Sequence, residues 1–198
     1  MSGHEIDINL LLQYQEPKAI LFEILSGYGF NSSTVDDLYN VINDQSGKTF
    51  YSSTNYKLLK DRDKLIIKKA ERSSDNSVYT IAEGNTIVNS PIRLKIDTIN
   101  KDDNFKLEKN KHKLYLDADK IIFPLTIRHW KQGDWFIPFG MKGKKKISDY
   151  FTDNKISLFE KEEIWLLCSG ENIIWIIGHR SDDRYKITSS TQTILEIT

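Results

Sequence analysis

The chain is poor in the residues that most readily build a self-contained active site. Of its 198 residues only one, Cys168, is cysteine. That excludes an internal disulfide and fits a reducing compartment. The four histidines lie far apart in sequence, and no metal-ligand spacing appears among them. No apolar run approaches the roughly 18 residues that a spanning helix needs. The start, MSGHEIDINLLLQYQEP, is acidic where a secretory signal is basic. These features together point to a cytoplasmic protein that is not a membrane protein. Net charge is also missing, with 28 basic residues against 28 acidic ones. That argues against coating DNA with the whole surface, yet leaves room for a local cationic patch. Ser46-Gly47-Lys48-Thr49 resembles the end of a phosphate-binding P-loop, but Ile42 stands where the first glycine belongs. No nucleophile–base pair can be assembled either, so an autonomous enzyme is the weakest reading.

What is present is a globular composition, 39% hydrophobic and 28% charged. The pattern predicts an α+β chain of two domains, 1–72 and 78–198. Residues 1–15 read as an extended or loosely helical lead-in. Pro17 then suits the first turn of a helix whose apolar face is Ile20, Leu21, Ile24, Leu25 and Tyr28. Gly27 and Gly29 stop it. A second helix begins in NSST, with Ser33 or Thr34 as candidate caps. Three half-polar strands follow, Lys48–Ser52, Tyr56–Lys60 and Leu65–Lys69, as in a meander with one wet face. The polar run Glu71–Ser77 reads as a linker. Beyond it, Val78–Ala82, Ile92–Ile99, Phe105–Leu107 and Lys113–Leu116 read as strands, the clearest alternation being Ile92–Ile99.

The most informative stretch is Phe123–Phe151. Leu125–Trp130 reads as a strand, Lys131–Asp134 as a turn eased by Gly133, and Trp135–Pro138 as a return to extended chain. Then comes Phe139-Gly-Met-Lys-Gly-Lys-Lys-Lys146, with four lysines in five residues and two glycines that allow close backbone approach. Ser148 is placed to cap a helix over Asp149–Asn154. A lysine cluster feeding a helix start is a coherent anion site. Between Arg128 and Lys161 there are eight Lys/Arg and four acids. Charge is therefore segregated within a neutral chain. The plainer reading is a soluble surface loop. Trp130, Trp135, Phe136 and Phe139 either stack on bases or belong to the core, and His129 is structural or contacts phosphate.

Near the C-terminus, Ser157 and Glu160 have capping-box spacing for a short helix through Glu163. Trp165–Cys168 and Ile173–Ile177 read as a hairpin apolar on both faces, hence central. Cys168 within it reads as a buried, inert thiol. Arg180 and Arg184 contact phosphate or pair with Asp182 and Asp183. Tyr185–Thr188 and Thr193–Ile197 are expected to close the chain as a last hairpin.

Several motifs recur in order: Pro124-Leu-Thr-Ile-Arg128, Gly133-Asp134, Pro138-Phe-Gly-Met-Lys-Gly143, Lys145-Lys-Ile-Ser-Asp-Tyr-Phe151, Trp175-Ile-Ile-Gly-His-Arg180 and Asp183-Arg-Tyr-Lys186. With Leu116-Asp-Ala-Asp119 and the helix pair plus meander upstream, the chain resembles the C-terminal domains of the tRNA(Ile)-lysidine synthase family, TilS. The resemblance implies a C-terminal domain related in fold to part of the phenylalanine-tRNA synthetase beta chain. It implies a parent enzyme that ligates lysine to the wobble cytidine of tRNA(Ile), using ATP with Mg in an N-terminal domain. That domain's SGGxDS loop does not occur here, so no cofactor is expected in this stretch itself. The partners implied are tRNA(Ile), gripped at its acceptor stem, and the catalytic domain. Trp130 and Trp135 stand where many members carry arginine.

The candidate tRNA-binding residues are Arg128, Lys131, Lys142, Lys144, Lys145, Lys146, Ser148, Lys155 and Arg180. No catalytic residue is expected. A second reading makes the chain an assembly module, with the apolar strands Trp165–Ile177 or an edge of the meander serving a homodimer or interdomain docking.

Overall fold

A computed structural model describes residues 3–44, 46–70, 77–102, 105–108, 110 and 112–198. The expected linker, apart from Ser77, lies outside the described residues. The chain clusters into two compact units, Met1–Ser74 with Ser157–Phe159, and Asp75–Ile156 with Glu160–Thr198. Both helices and strands build it, as an α+β chain.

The first unit opens with β1 (His4–Asp7) and a single turn, α1 (Ile8–Leu11). The lead-in is thus partly a strand, paired antiparallel to β4. Next come α2 (Pro17–Ser26), α3 (Ser32–Asn40), β2 (Lys48–Tyr51), β3 (Tyr56–Asp61) and β4 (Lys64–Lys69). The strands form one sheet in the order β1-β4-β3-β2. Leu21 and Leu25 from α2 and Val35 and Leu38 from α3 are buried with Leu58, Leu65 and Ile67 from the sheet. Neither Ser33 nor Thr34 caps α3. Asn31 does, its Oδ1 accepting from Thr34 N at 2.8 Å and Thr34 Oγ1 at 2.9 Å. Asparagine suits a cap as well as serine does. The face of β3 expected to be wet is not: Lys57 and Leu59 are buried there, and Lys60 is buried on the opposite face. Lys60 Nζ is satisfied by the carbonyl of Asp44.

The second unit holds β5 (Tyr79–Ile81), β6 (Ile87–Val88), β7 (Leu94–Asn100), β8 (Leu114–Asp117) and β9 (Leu125–His129). It continues through β10 (Trp135–Phe136), β11 (Lys145–Lys146), α4 (Ile147–Asp153), and on after α5 (Leu158–Glu163). It ends with β12 (Trp165–Ser169), β13 (Asn172–Ile176), β14 (Arg180–Ser181) and β15 (Thr193–Ile197). Residues 105–107 are described but are not a strand. The last strand corrects a second expectation. β15 does not pair with Tyr185–Thr188, where Asp183–Tyr185 makes a 3-10 turn. It lies between β7 and β8 instead, because those strands supply the apolar partners Ile96, Leu116 and Leu114.

Among the described residues, two larger sheets result, β14-β13-β12-β9-β5 and β6-β7-β15-β8, beside the two-stranded β10-β11. Ile127, Leu167, Ile174 and Trp175 of the first share a core with Leu94, Ile96, Leu116 and Leu195 of the second. The other face of β12–β13, through Leu166, Cys168, Ile173 and Ile176, packs with Phe136, Ile147, Tyr150 and Phe151. Burial on both faces explains the unbroken apolar runs. The pairing register shifts between Leu167 and Cys168. The extra residue lets Ile174 and Trp175 both serve the same core, as a bulge permits. β12 is flanked by β9 and β13, and β13 by β12 and β14. The strands β12 and β13 proposed for dimerisation are therefore flanked by other strands and packed on both faces. Among the described residues, no helix is long and apolar enough to cross a membrane.

Candidate nucleic-acid interface

The lysine-rich stretch is a hairpin. Trp135 pairs with Lys146 and Phe136 with Lys145, so residues 137–144 form the connecting loop. Phe136 is fully buried and stacks edge-on against Tyr150, 5.4 Å between centroids. The base of the hairpin is thereby fixed to the core by a large aromatic.

The loop is held from the other side by two neighbouring carboxylates. Asp182 is completely buried. Its oxygens accept from Ile137 N at 2.9 Å, Arg184 N at 2.8 Å, Arg184 Nε at 2.9 Å and Arg184 Nη2 at 2.8 Å. Asp183 accepts from Gly140 N at 2.8 Å and from Lys186 Nζ at 2.7 Å. Backbone bonds complete the clamp: Phe139 N donates to Ser181 O at 2.9 Å and Asp183 N to Ile137 O at 2.7 Å. Arg180 Nη2 donates to the Phe139 carbonyl at 2.7 Å. Gly140, with φ +84°, makes the turn that an L side chain would strain. From the sequence, Asp182 and Asp183 are expected only as partners for arginine. The signal for more was two adjacent acids after a buried strand, but their loop partners lie more than 40 residues upstream.

This geometry sorts the candidate residues. Lys142, Lys144 and Lys146 are exposed on the hairpin. Among the described residues, Lys142 and Lys146 have no ion-pair partner, and Lys144 Nζ lies 3.8 Å from the Trp135 ring centroid. That ring also has the Arg184 guanidinium carbon at 4.9 Å. Trp135 is thus a half-buried platform for two cations. Lys145 is tied to Asp153 at 2.5 Å. Lys131 is exposed in the turn before β10. Arg128 makes a bidentate pair with Asp134, at 2.7 and 3.0 Å, and also donates to its neighbour's carbonyl, His129 O. The Asp134 hydrogen bond raises its already high pKa. Arg128 is therefore committed inward, where it also closes the turn that Lys131 N shares with Asp134. Lys155 lies two residues beyond the end of α4, at the opposite end of that helix from Lys146.

Ser148 is not a cap. α4 begins one residue before it, at Ile147, with Lys146 in the cap position and no side-chain cap bond. Ser148 Oγ instead donates to Asp149 Oδ1 at 3.1 Å. Asp149 already opposes the helix dipole in the first turn, so any anion attraction comes from the hairpin lysines and not from the helix end.

The remaining candidates are structural. Trp130 Nε1 donates to Lys161 O at 3.1 Å, and its ring meets Phe151 edge-on. The His129 ring lies 3.7 Å from Trp165, with Nδ1 3.0 Å from Ile164 O. Burial pushes the Cys168 thiol up, away from the reactive thiolate. An open cleft of about 330 Å³ is lined by Ile92, Glu160, Glu163, Ile164, Trp165, Ile177 and His179. Its two glutamates disfavour a phosphate, and it shares no residue with the hairpin.

The clamp carries a pH signature. The hydrogen bond from Lys186, then that from Gly140 N, holds Asp183 below the usual carboxylate range. A depressed folded pKa means stability fully present above the unfolded value of about 3.9 and lost as pH falls through the folded value. Asp183→Asn is expected to flatten the acid limb of the stability curve below about pH 4, while leaving its neutral-pH slope unchanged. Urea denaturation across that range checks it. An unaltered acid limb would show that the carboxylate charge does not hold the loop.

Fold and site together define an α+β protein of two units, the second of which presents a braced cationic hairpin. The TilS substrate binding domain matches residues 2–70, and the TilS substrate C-terminal domain matches residues 125–197. A tRNA(Ile)-lysidine synthase of Parabacteroides distasonis is 46% identical over 98% of this chain and 44% of its own length. The same enzyme of Bacteroides thetaiotaomicron is 39% identical over 96% of this chain and 42% of its own. A crystal structure of a TILS C-terminal domain covers 62% of this chain and 95% of that one, with a TM-score of 0.48 and 14% identity. The chain belongs to the tRNA(Ile)-lysidine synthase family. It spans less than half the length of these relatives and carries the family's substrate-binding and C-terminal domains.

Proposed function

We propose that this chain is the tRNA-gripping part of a lysidine synthase, and that its second unit holds tRNA(Ile) by the phosphates. The observation that carries this reading is the hairpin: Lys142, Lys144 and Lys146 stand exposed on a loop whose backbone is fixed by Asp182 and Asp183. A braced loop presents its cations without the entropy loss of ordering it on binding. Contact goes mainly to phosphate and RNA shape, because an A-form duplex hides its base edges in a deep groove. The acceptor stem is the duplex proposed for this contact. Ligation of lysine to the wobble cytidine, with ATP and Mg, belongs to the family's catalytic domain; these residues contribute binding.

Fluorescence anisotropy of labelled tRNA(Ile) with the 198-residue chain, across a potassium chloride series, tests the reading. Three phosphate contacts predict a log–log slope of roughly −2 to −3. Binding that is absent, or independent of salt, would sink it.

A further inference from the structure

Phosphate contact leaves the tip of the hairpin unexplained. Phe139 and Met141 flank Gly140 there and are 45% and 47% exposed. The backbone beneath them is held in place. Phe139 N and O are bonded to Ser181 O and the Arg180 guanidinium, Gly140 N to Asp183, and Met141 N to Pro138 O at 2.8 Å. Two large apolar side chains are therefore presented to solvent by a fixed turn, and Lys142 and Lys144 follow within three residues. An occupant that suits both features combines an apolar face with negative charge. An acidic nucleic acid provides the two together where a base is unstacked beside its own phosphates.

On the tRNA-binding reading above, we infer that Phe139 and Met141 form a seat for one unpaired nucleobase next to the phosphates held by Lys142, Lys144 and Lys146. The Phe139 ring stacks on the base, and the flexible Met141 thioether fills in against its edge. The seat distinguishes an RNA with an unpaired end or bulge from an uninterrupted duplex. It adds a selectivity that lysine–phosphate contacts cannot supply, since these carry no information about pairing.

The test uses the full chain and two RNAs of equal charge. One is a hairpin with a single-stranded 3′ end that carries 2-aminopurine at its first unpaired position. The other is a dumbbell duplex closed at each end by a non-nucleotide linker, so that it has no unpaired base and the same number of phosphates. The expected result is quenching of 2-aminopurine by the wild-type chain. Phe139→Ala with Met141→Ala should abolish the quenching and weaken binding of the tailed RNA on the order of tenfold. Dumbbell binding and both salt slopes should stay unchanged, and Phe139→Trp should keep the quenching. Both side chains are exposed, so folding of the variants is checked by an unchanged urea midpoint. Equal affinity of variant and wild type for the tailed RNA, with the salt slope intact, would overturn the seat and leave the phosphate reading standing. An equal loss on the dumbbell would also overturn it, since the tip would then touch backbone and not a base. Failure of the wild-type chain to bind either RNA in a salt-dependent way would remove the underlying reading itself.

Discussion

Replacing Asp182 by alanine is expected to destabilise the second unit by about 3–5 kcal/mol, the cost of removing one partner from a buried charge pair. Asp182 is fully buried, and its carboxylate receives three bonds from Arg184 and one from Ile137 N. Alanine leaves the Arg184 guanidinium with Asn172 Oδ1, at 2.9 Å, and its places beside the Trp135 and Tyr185 rings. It also leaves Ile137 N without its acceptor where the hairpin leaves the sheet. Asp182→Asn keeps one acceptor but turns an amide donor towards a cation, so its effect should fall between wild type and alanine. Equilibrium urea denaturation gives the value. A loss below about 1 kcal/mol, in the range of a surface pair, would mean that water replaces the carboxylate and that the brace is weak.

The second large effect concerns binding and should leave the fold intact. Lys142→Ala, Lys144→Ala and Lys146→Ala together are expected to lower tRNA(Ile) affinity about 100-fold at 0.1 M salt and to bring the salt slope close to zero. All three side chains are exposed, so stability should move by no more than about 0.5 kcal/mol. Lys145→Ala provides the contrast. That lysine is already tied to Asp153, so its removal should change the slope by less than one. If Lys145→Ala matched the triple variant, the sorting of free from committed cations would be wrong. An unchanged slope in the triple variant would place the RNA contact elsewhere on the chain.

The helix pair, the meander and the central apolar strands were legible because their signals are local. Leu21 and Leu25 recur at helical spacing, and residues 165–168 and 173–176 are unbroken apolar runs because both faces of β12 and β13 are covered. The cationic loop was legible from composition alone, since four lysines and two glycines in eight residues have few other uses. Helix starts are less legible. Asn31, and not Ser33 or Thr34, caps α3, while Ser148 lies inside α4. At α3, Asn31 offers the same chemistry two positions before Ser33, and at α4 the cap position falls on Lys146, which makes no side-chain cap bond.

By itself, then, the sequence determined most of the elements, the central strands and the place of the lysine cluster, all of which rest on patterns within a few residues. It could not say which charges remain available to a partner. Arg128, Lys145, Arg180 and Arg184 look as free in sequence as Lys142 and Lys146. Each is engaged by Asp134, Asp153, the Phe139 carbonyl or Asp182. The place of β15 between β7 and β8, and the clamp of Asp182 and Asp183 on a loop 43 to 45 residues upstream, were likewise decided only in the tertiary structure. A cation's availability depends on the distance and burial of its nearest carboxylate, and folding sets both by bringing distant segments together.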